Sequence, residues 1–311
     1  MKESRTSAID QPQRDRGMGA AAATPAPLPI TAVVLTHNEE ANLNACLESI
    51  AGWTSSILIV DSGSTDRTRY IAEQYGSDFF HHAFESHTQQ WRWALDQLPL
   101  SGEWILALDA DQRVTPELRN ELFQLFRHRA EQLNGFAGLY VKRRQVFRGQ
   151  WIRHGGYYPK YLLKLFRRNA VILDDCDLVD HHFYVAGSTL KLRCDIIEEN
   201  HKEDDITFWI DKHNRYAARL AEEELHRNGQ SAAAPLAPSL FGSPDQRSLW
   251  RKAFWSRLPR YVRPALYFVY RYFFRMGFLD GKQGFNFHFL QAFWFRLLVD
   301  IKLEEVKTKG R

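Results

Sequence analysis

The stretch "WILALDADQRV", Trp104 to Val114, ends an apolar run at two aspartates separated by one alanine. Two like charges this close are unfavourable unless a cation lies between or beside them. A divalent ion with oxygen ligands supplies that compensation, and its open positions can hold a diphosphate. The plainer alternative is that Asp109 and Asp111 only cap the helix that begins near Thr115. Two other apolar runs also end in polar groups: "AVVLTHNEE" brings Thr36, Asn38 and Glu39, and "ILIVDSGSTD" brings Asp61. Three such ends together favour a metal-diphosphate site over a cap.

The elements that must position these groups follow from patterning. Ile30 to Leu35 is short, apolar and β-branched, which predicts a strand buried on both faces. Leu43, Cys46, Leu47 and Ile50 recur at helical spacing. Ile57 to Val60 predicts a second strand, followed by a polar turn and a helix from near Thr65 to Gly76. Asp66 falls in the first turn of that helix, where a capping carboxylate suits the dipole. "HTQQWRWALDQL" predicts a helix ahead of the strand that ends in the two aspartates. Thr115, Pro116 and Glu117 then give the cap, first turn and acidic start of another. Strands alternating with helices predict a parallel sheet covered on both faces, with ligands beyond the carboxyl ends of its strands.

A formal net charge of +4 over 311 residues gives no global case for a nucleic-acid binder. The three cysteines, Cys46, Cys176 and Cys194, are far apart without CxxC spacing, which argues against a disulfide scaffold or zinc site and fits a reducing compartment. Residues 1–27 mix charges, alanines and prolines and read as a disordered leader. No uninterrupted apolar run reaches the ~18 residues of a spanning helix, so the expected location is cytoplasmic. From about Gly135 the pattern turns mixed and aromatic. The expected division is a catalytic domain over 28–228, with a nucleotide-binding half to 119 and an acceptor half over 120–228. A linker over 229–246 and a basic aromatic helical segment over 247–311 follow.

Taken together, "VVLTHNEEANLNACLESI", "ILIVDSGSTDRT" and "WILALDADQRV" resemble the inverting glycosyltransferases of family 2 in order and spacing. The likeness is strong over Ile30 to Arg119. Residues 140–220 and "GFLDGKQGFNFHFLQAFWFRLLVDIK" extend it to a bacterial branch that includes lipopolysaccharide-core and exopolysaccharide glycosyltransferases. The resemblance implies the GT-A fold: a mixed, mostly parallel Rossmann-like sheet with helices on both faces, here with a helical C-terminal extension. It implies a nucleotide-diphosphate sugar donor, a glycan or lipid-linked acceptor, and a divalent cation, Mg²⁺ or Mn²⁺. On the family pattern Thr36, Asn38 and Glu39 approach the nucleotide, and Asp61 meets the base. Asp109, Ala110 and Asp111 form the metal-diphosphate motif, with Asp111 the direct ligand. The chain departs from that pattern at Gln112 and at Arg92, which leaves donor contacts at Gln90 and Arg92 open.

Inverting transfer needs a base for the acceptor hydroxyl and positive charge for the leaving diphosphate. "DLVDHHFYVAG" is the densest supply of bases, with Asp180 the expected base and His181 the alternative. His182 and His201 are candidates for a third metal ligand or a diphosphate contact. Arg153, His154, Gly155 and Gly156 suit a loop lining the donor or acceptor pocket. From Arg247 to Arg275 there are eight Arg or Lys and no acid, interleaved with aromatics. That composition describes a surface lying on an anionic bilayer, at the inner face of the cell membrane. The alternative is a helical pair packed on the catalytic domain, its arginines reaching water. Two other functions compete. A sugar nucleotidyltransferase would start with a glycine-rich phosphate loop, which "VLTHNEEANL" lacks. A non-catalytic membrane-associated protein retaining a nucleotide-sugar fold would be favoured by loss of the metal aspartates, and both are present.

Overall fold

The computed structural model describes residues 26–174, 182–229 and 236–309. The expected leader, 1–27, lies outside these residues except for its last two. The first half alternates β1 (Leu28–Thr36), α1 (Leu43–Ile50), β2 (Thr54–Asp61), α2 (Thr68–Gln74), β3 (Asp78–His81), α3 (His87–Gln97) and β4 (Trp104–Asp109). Short β5 (Gln112–Val114) leads into α4 (Pro116–His128) and α5 (Ala130–Leu133). The second half adds β6 (Gly138–Phe147), β7 (Gln150–Trp151), β8 (Lys160–Arg167), β9 (Val171–Leu173), β10 (Phe183–Val185) and β11 (Thr189–Glu198).

The main sheet runs β3-β2-β1-β4-β8-β6-β11-β5, with β7 beside β6; β9 and β10 pair separately. β1 is parallel to β2 and β4, and β2 to β3. β8 runs against both β4 and β6, and β5 runs against β11. The sheet is therefore mixed, not all parallel. β6 returns to β8 without a helical crossover, and an antiparallel neighbour is what such a return produces.

Strand alternation sorts the core into two layers. Ile30, Ala32 and Val34 of β1, with Trp104, Leu106 and Leu108 of β4, pack on α1 and α4 through Leu43, Leu47, Leu118 and Leu122. Val33, Ile105 and Ala107 face the opposite way, onto Trp91, Ala94 and Leu95 of α3. Burial on both sides is why these strands read as unbroken apolar runs.

Local chemistry sets the helix starts. Thr115 accepts from the Leu118 N–H at 3.2 Å, with Pro116 in the first turn. α2 begins at Thr68, three residues later than its pattern predicts. The Asp66 carboxylate draws the Thr68 and Glu40 N–H groups to 3.0 Å each and holds the preceding residues in a turn. Burial pushes the Asp66 carboxyl up, and hydrogen bonds from Thr68 and Glu40 more than offset it, leaving the group below its usual range.

The C-terminal part is helical: α6 (Ile206–Gly229), α7 (Pro244–Ser256), α8 (Val262–Val269), α9 (Gly281–His288) and α10 (Phe295–Lys309). π-helical turns follow α8 over Tyr270–Phe274 and α9 over Phe289–Trp294. α10 packs on α6 through Ala217, Ala221, Phe295, Val299 and Leu303. α7 starts inside the stretch read as linker, because Ser243 and Gln246 form a reciprocal capping box. Its Asp245 accepts from the Tyr140 hydroxyl and ties α7 to β6. No helix among the described residues is long and apolar enough to cross a membrane.

Candidate active site

The parallel ends of β1 and β2 are stapled together by side chains. Asp61 is buried; it accepts from Thr36 Oγ1 at 2.8 Å, Gly63 N at 2.9 Å and Ser64 N at 2.7 Å. The carboxylate thereby shapes the Ser62–Ser64 turn, whose Gly63 is left-handed at φ 90°. Asn38 is also left-handed, at φ 53°, a conformation asparagine tolerates. Its N–H donates to Ser64 Oγ and its Oδ1 accepts from Thr65 N, each at 2.8 Å. Gln90 of α3 is buried beneath this shelf and donates to Ser62 Oγ at 2.8 Å and the His82 carbonyl at 2.9 Å. Arg92, two residues on, lies on the exposed face of α3.

Asp109 ends β4 with its Oδ2 3.1 Å from the Nζ of Lys164, a buried lysine on β8. The Asp109 N–H donates to Gln112 Oε1 at 3.3 Å, and Gln112 Nε2 donates to Glu198 at 2.8 Å. Arg143 holds the other Glu198 oxygen at 2.9 Å. Ala110 is buried between the aspartates, and the Glu199 N–H donates to the Asp111 carbonyl at 2.9 Å. Burial, then the charges of Glu198 and Asp109, push the Asp111 carboxyl well above the usual range, with Lys212 of α6 opposing. Among the described residues no hydrogen-bond donor meets that carboxylate. Of the two aspartates, Asp109 carries the lysine counter-charge.

A second cation stands at the end of β1. Lys202 Nζ lies 2.6 Å from Glu39 Oε1 and donates to the Asn38 carbonyl at 3.0 Å. Asn42 donates to Glu39 Oε2 at 2.7 Å and accepts from the His201 N–H at 2.9 Å. His201 thus sits just beyond the end of β11, along the edge that carries Asp111. His182 lies in a crevice against α7 with Tyr184, Asp245, Ser248, Leu249 and Lys252. No three His, Cys, Asp or Glu side chains among the described residues are grouped to hold a metal by themselves. A pair of carboxylates still fits a hard divalent ion, which commonly takes one or two protein carboxylates and fills the rest with phosphate oxygens and water. Asp180 and His181 lie outside the described residues.

Patterning alone misses Lys164, Lys202, Lys212 and Glu198. Lys164 leaves a trace: "YLLKLF" sets one lysine inside an apolar strand, and a buried charge demands a partner. The loop carrying His154 to Tyr158 lies on the same side of the sheet, where Tyr158 accepts from Lys142 at 3.1 Å and donates to Asp195 at 3.0 Å.

A mixed sheet whose parallel strand ends converge on paired aspartates defines a nucleotide-sugar-transferase type of fold, the GT-A arrangement expected from the resemblance. The sequence matches agree. Residues 31–185 match the model of Glycosyl transferase family 2. The chain is 33% identical over 216 residues to the lipopolysaccharide core biosynthesis glycosyltransferase LpsC of Rhizobium meliloti, covering 63% of this chain and 72% of that protein. An uncharacterized glycosyltransferase of Rickettsia bellii is 31% identical over 97 residues, 31% of this chain and about a third (32%) of that protein. This protein belongs to glycosyltransferase family 2. Among solved structures, glucosyl-3-phosphoglycerate synthase from Mycobacterium tuberculosis is similar with a TM-score of 0.40 at 16% identity, over 66% of this chain and 82% of that one. Staphylococcus aureus TarS 1–349 is similar with a TM-score of 0.35 at 15% identity, over 91% and 92% of the two chains.

Proposed function

We propose that this glycosyltransferase moves a sugar, with inversion, from a nucleotide-diphosphate sugar to a glycan or lipid-linked acceptor in lipopolysaccharide or exopolysaccharide synthesis. The observation that carries the reading is the Asp109–Ala110–Asp111 turn at the end of β4, beside Glu39, Asp61 and Glu198, carboxylates that already have protein partners. Thr36, Asn38 and the Asp61 turn form the shelf for the nucleoside, with Gln90 bracing it from below. Asp111 and Asp109 would hold Mg²⁺ or Mn²⁺, with His201 the further candidate ligand. Bound there, the cation would supply positive charge for the leaving diphosphate. Asp180, with His181 as the alternative, takes the acceptor hydroxyl proton as that oxygen attacks the anomeric carbon opposite the diphosphate. No covalent sugar–enzyme intermediate is required. The similarity to LpsC supports an envelope-glycan acceptor, and the basic aromatic C-terminal segment supports a peripheral position on the inner face of the cell membrane.

A thermal-shift screen of nucleotide sugars with and without Mn²⁺ tests the reading, because a ligand that binds only the folded state raises its melting temperature. One donor class should stabilise, and only with the metal. Product from that donor should carry the anomeric configuration opposite to the donor's by NMR. No shift with any donor would reject the reading, and retained configuration would reject the mechanism.

A further inference from the structure

The segment around α8 and α9 leaves many large apolar side chains in water. Val269, Phe273, Phe274, Phe278, Leu279 and Phe285 are all exposed, Phe274 to 75%. Tyr272 gathers three of them, packing at ring distances of 5.1 Å on Phe273, 6.3 Å on Phe278 and 5.7 Å on Phe285; Phe274 and Leu279 are their exposed neighbours in the chain. Patches of this kind on a folded chain mark contact with another phase or partner.

The segment that carries them is positive. Arg251, Lys252, Arg257, Arg260, Arg275 and Lys282 are exposed along it. Asp245 and Asp280 are engaged by Tyr140 and His154, and Glu304 of α10 accepts from the Tyr261 hydroxyl. A second copy of the chain would set one positive segment against another, whereas anionic lipid headgroups complement it. Two arginines of the stretch have structural places. Arg263 pairs with Asp300 and Glu224. Arg271 is buried, stacks on Tyr157 at 3.9 Å and donates to the Gly155 carbonyl at 2.6 Å.

The inner face of the same hairpin is bolted to the Gln150–Tyr158 loop. Asp280 accepts the His154 N–H at 2.8 Å and meets its Nδ1 at 2.7 Å. Gln150 donates to the Asp280 carbonyl at 2.7 Å, and the Gly155 N–H to the Arg275 carbonyl at 2.8 Å. Tyr158 then bonds to Asp195 on β11.

We propose that the α8–α9 hairpin is an insertion wedge for an anionic bilayer: its aromatic and aliphatic outer face enters the interface, and its inner face holds the His154–Tyr158 loop. The proposal rests on the membrane-bound reading above and replaces a purely electrostatic contact by apolar insertion assisted by the segment's basic side chains. Burying several aromatic side chains supplies the attraction that salt does not screen.

The test uses the full chain with phosphatidylglycerol–phosphatidylcholine vesicles and with pure phosphatidylcholine vesicles. Wild type should float with the anionic vesicles and retain part of that binding at high salt. The triple variant Phe273→Ser, Phe274→Ser, Leu279→Ser should partition at least ~10-fold more weakly, with its melting temperature unchanged because these side chains are exposed. Arg257→Gln with Arg260→Gln should flatten the salt dependence. Should the triple variant melt early, Phe274→Ser alone carries the comparison. Wild type that ignores both vesicles, or a wedge variant that binds like wild type, overturns the proposal. So does a stable dimer that the triple variant dissolves. Loss of the donor-dependent thermal shift would reject the transferase reading and leave the flotation result standing.

Discussion

The ammonium of Lys164 lies 3.1 Å from the Oδ2 of Asp109, lysine and aspartate standing on the adjacent antiparallel strands β8 and β4. It gives the first aspartate of the pair a fixed counter-charge from the protein itself. Lys164→Met should therefore destabilise the chain, by less than the ~3–5 kcal/mol of a fully buried pair because water reaches Asp109. With that positive charge gone, Mn²⁺ should bind more tightly and recover part of the lost stability. Calorimetry of Mn²⁺ binding beside a melting curve checks both signs; no change in either removes the role.

Asp111→Asn should keep the fold and remove metal-dependent donor binding. Its melting temperature without metal should hold or rise, since one charge leaves a cluster with Glu198 and Asp109. Activity should fall at least ~10-fold, as for other losses around a metal site. Unchanged Mn²⁺-dependent binding of a nucleotide diphosphate would reject Asp111 as ligand.

Asp180→Asn should lower kcat by about 10²–10⁴-fold with donor affinity near wild type, as for loss of a general base. His181→Ala should be milder. The reverse order in steady-state kinetics moves the base to His181.

Gly155 and Gly149 make a matched pair. Both are left-handed, at φ 66° and 74°, but a methyl on Gly155 would run into the His288 ring, whereas Gly149 has open space. Gly149→Ala should cost about 1–2 kcal/mol for backbone strain alone. Gly155→Ala should add about 1–3 kcal/mol of overpacking. Urea titrations giving the two variants equal stability would contradict this packing.

Burial, then the charge of Arg271, lowers His288 to about 4, with Asp280 opposing. The unfolded chain takes up this proton below about pH 6.5, while the folded chain resists until about 4. Stability from this group is therefore complete above the unfolded value and declines as pH falls from about 6.5 to about 4. At ~1.4 kcal/mol for each pH unit between those two values, the decline amounts to about 3.5 kcal/mol at most. His288→Asn should be less stable at neutral pH and lack that segment of the pH profile in urea titrations.

The polar strand ends were legible because their signals are local. β1, β2 and β4 are buried on both faces, so each reads as an apolar run that stops where the chain meets water. Thr115 and Pro116 announce α4 for the same reason, since a helix cap is settled within three residues. Asp66 was legible as a capping group, but the start of α2 was not, because the Glu40 N–H that helps hold the turn comes from the β1–α1 loop, 26 residues earlier.

What the chain left open depends on partners distant in sequence. Nothing near Asp109 names Lys164, which lies 55 residues on and arrives only because β8 inserts against β4. Asp280 reaches back 126 residues to His154, and Lys202 reaches 163 to Glu39. The basic aromatic stretch shows the division within one segment. Its composition called for a charged, aromatic surface, yet packing decided that Arg263 and Arg271 turn inward while Phe273 and Phe274 turn out. A sequence dictates which groups require a partner, since burying a charge alone is prohibitive. Which partner each finds is a property of the sheet order and helix docking, where long-range contacts compete and only the whole fold ranks them.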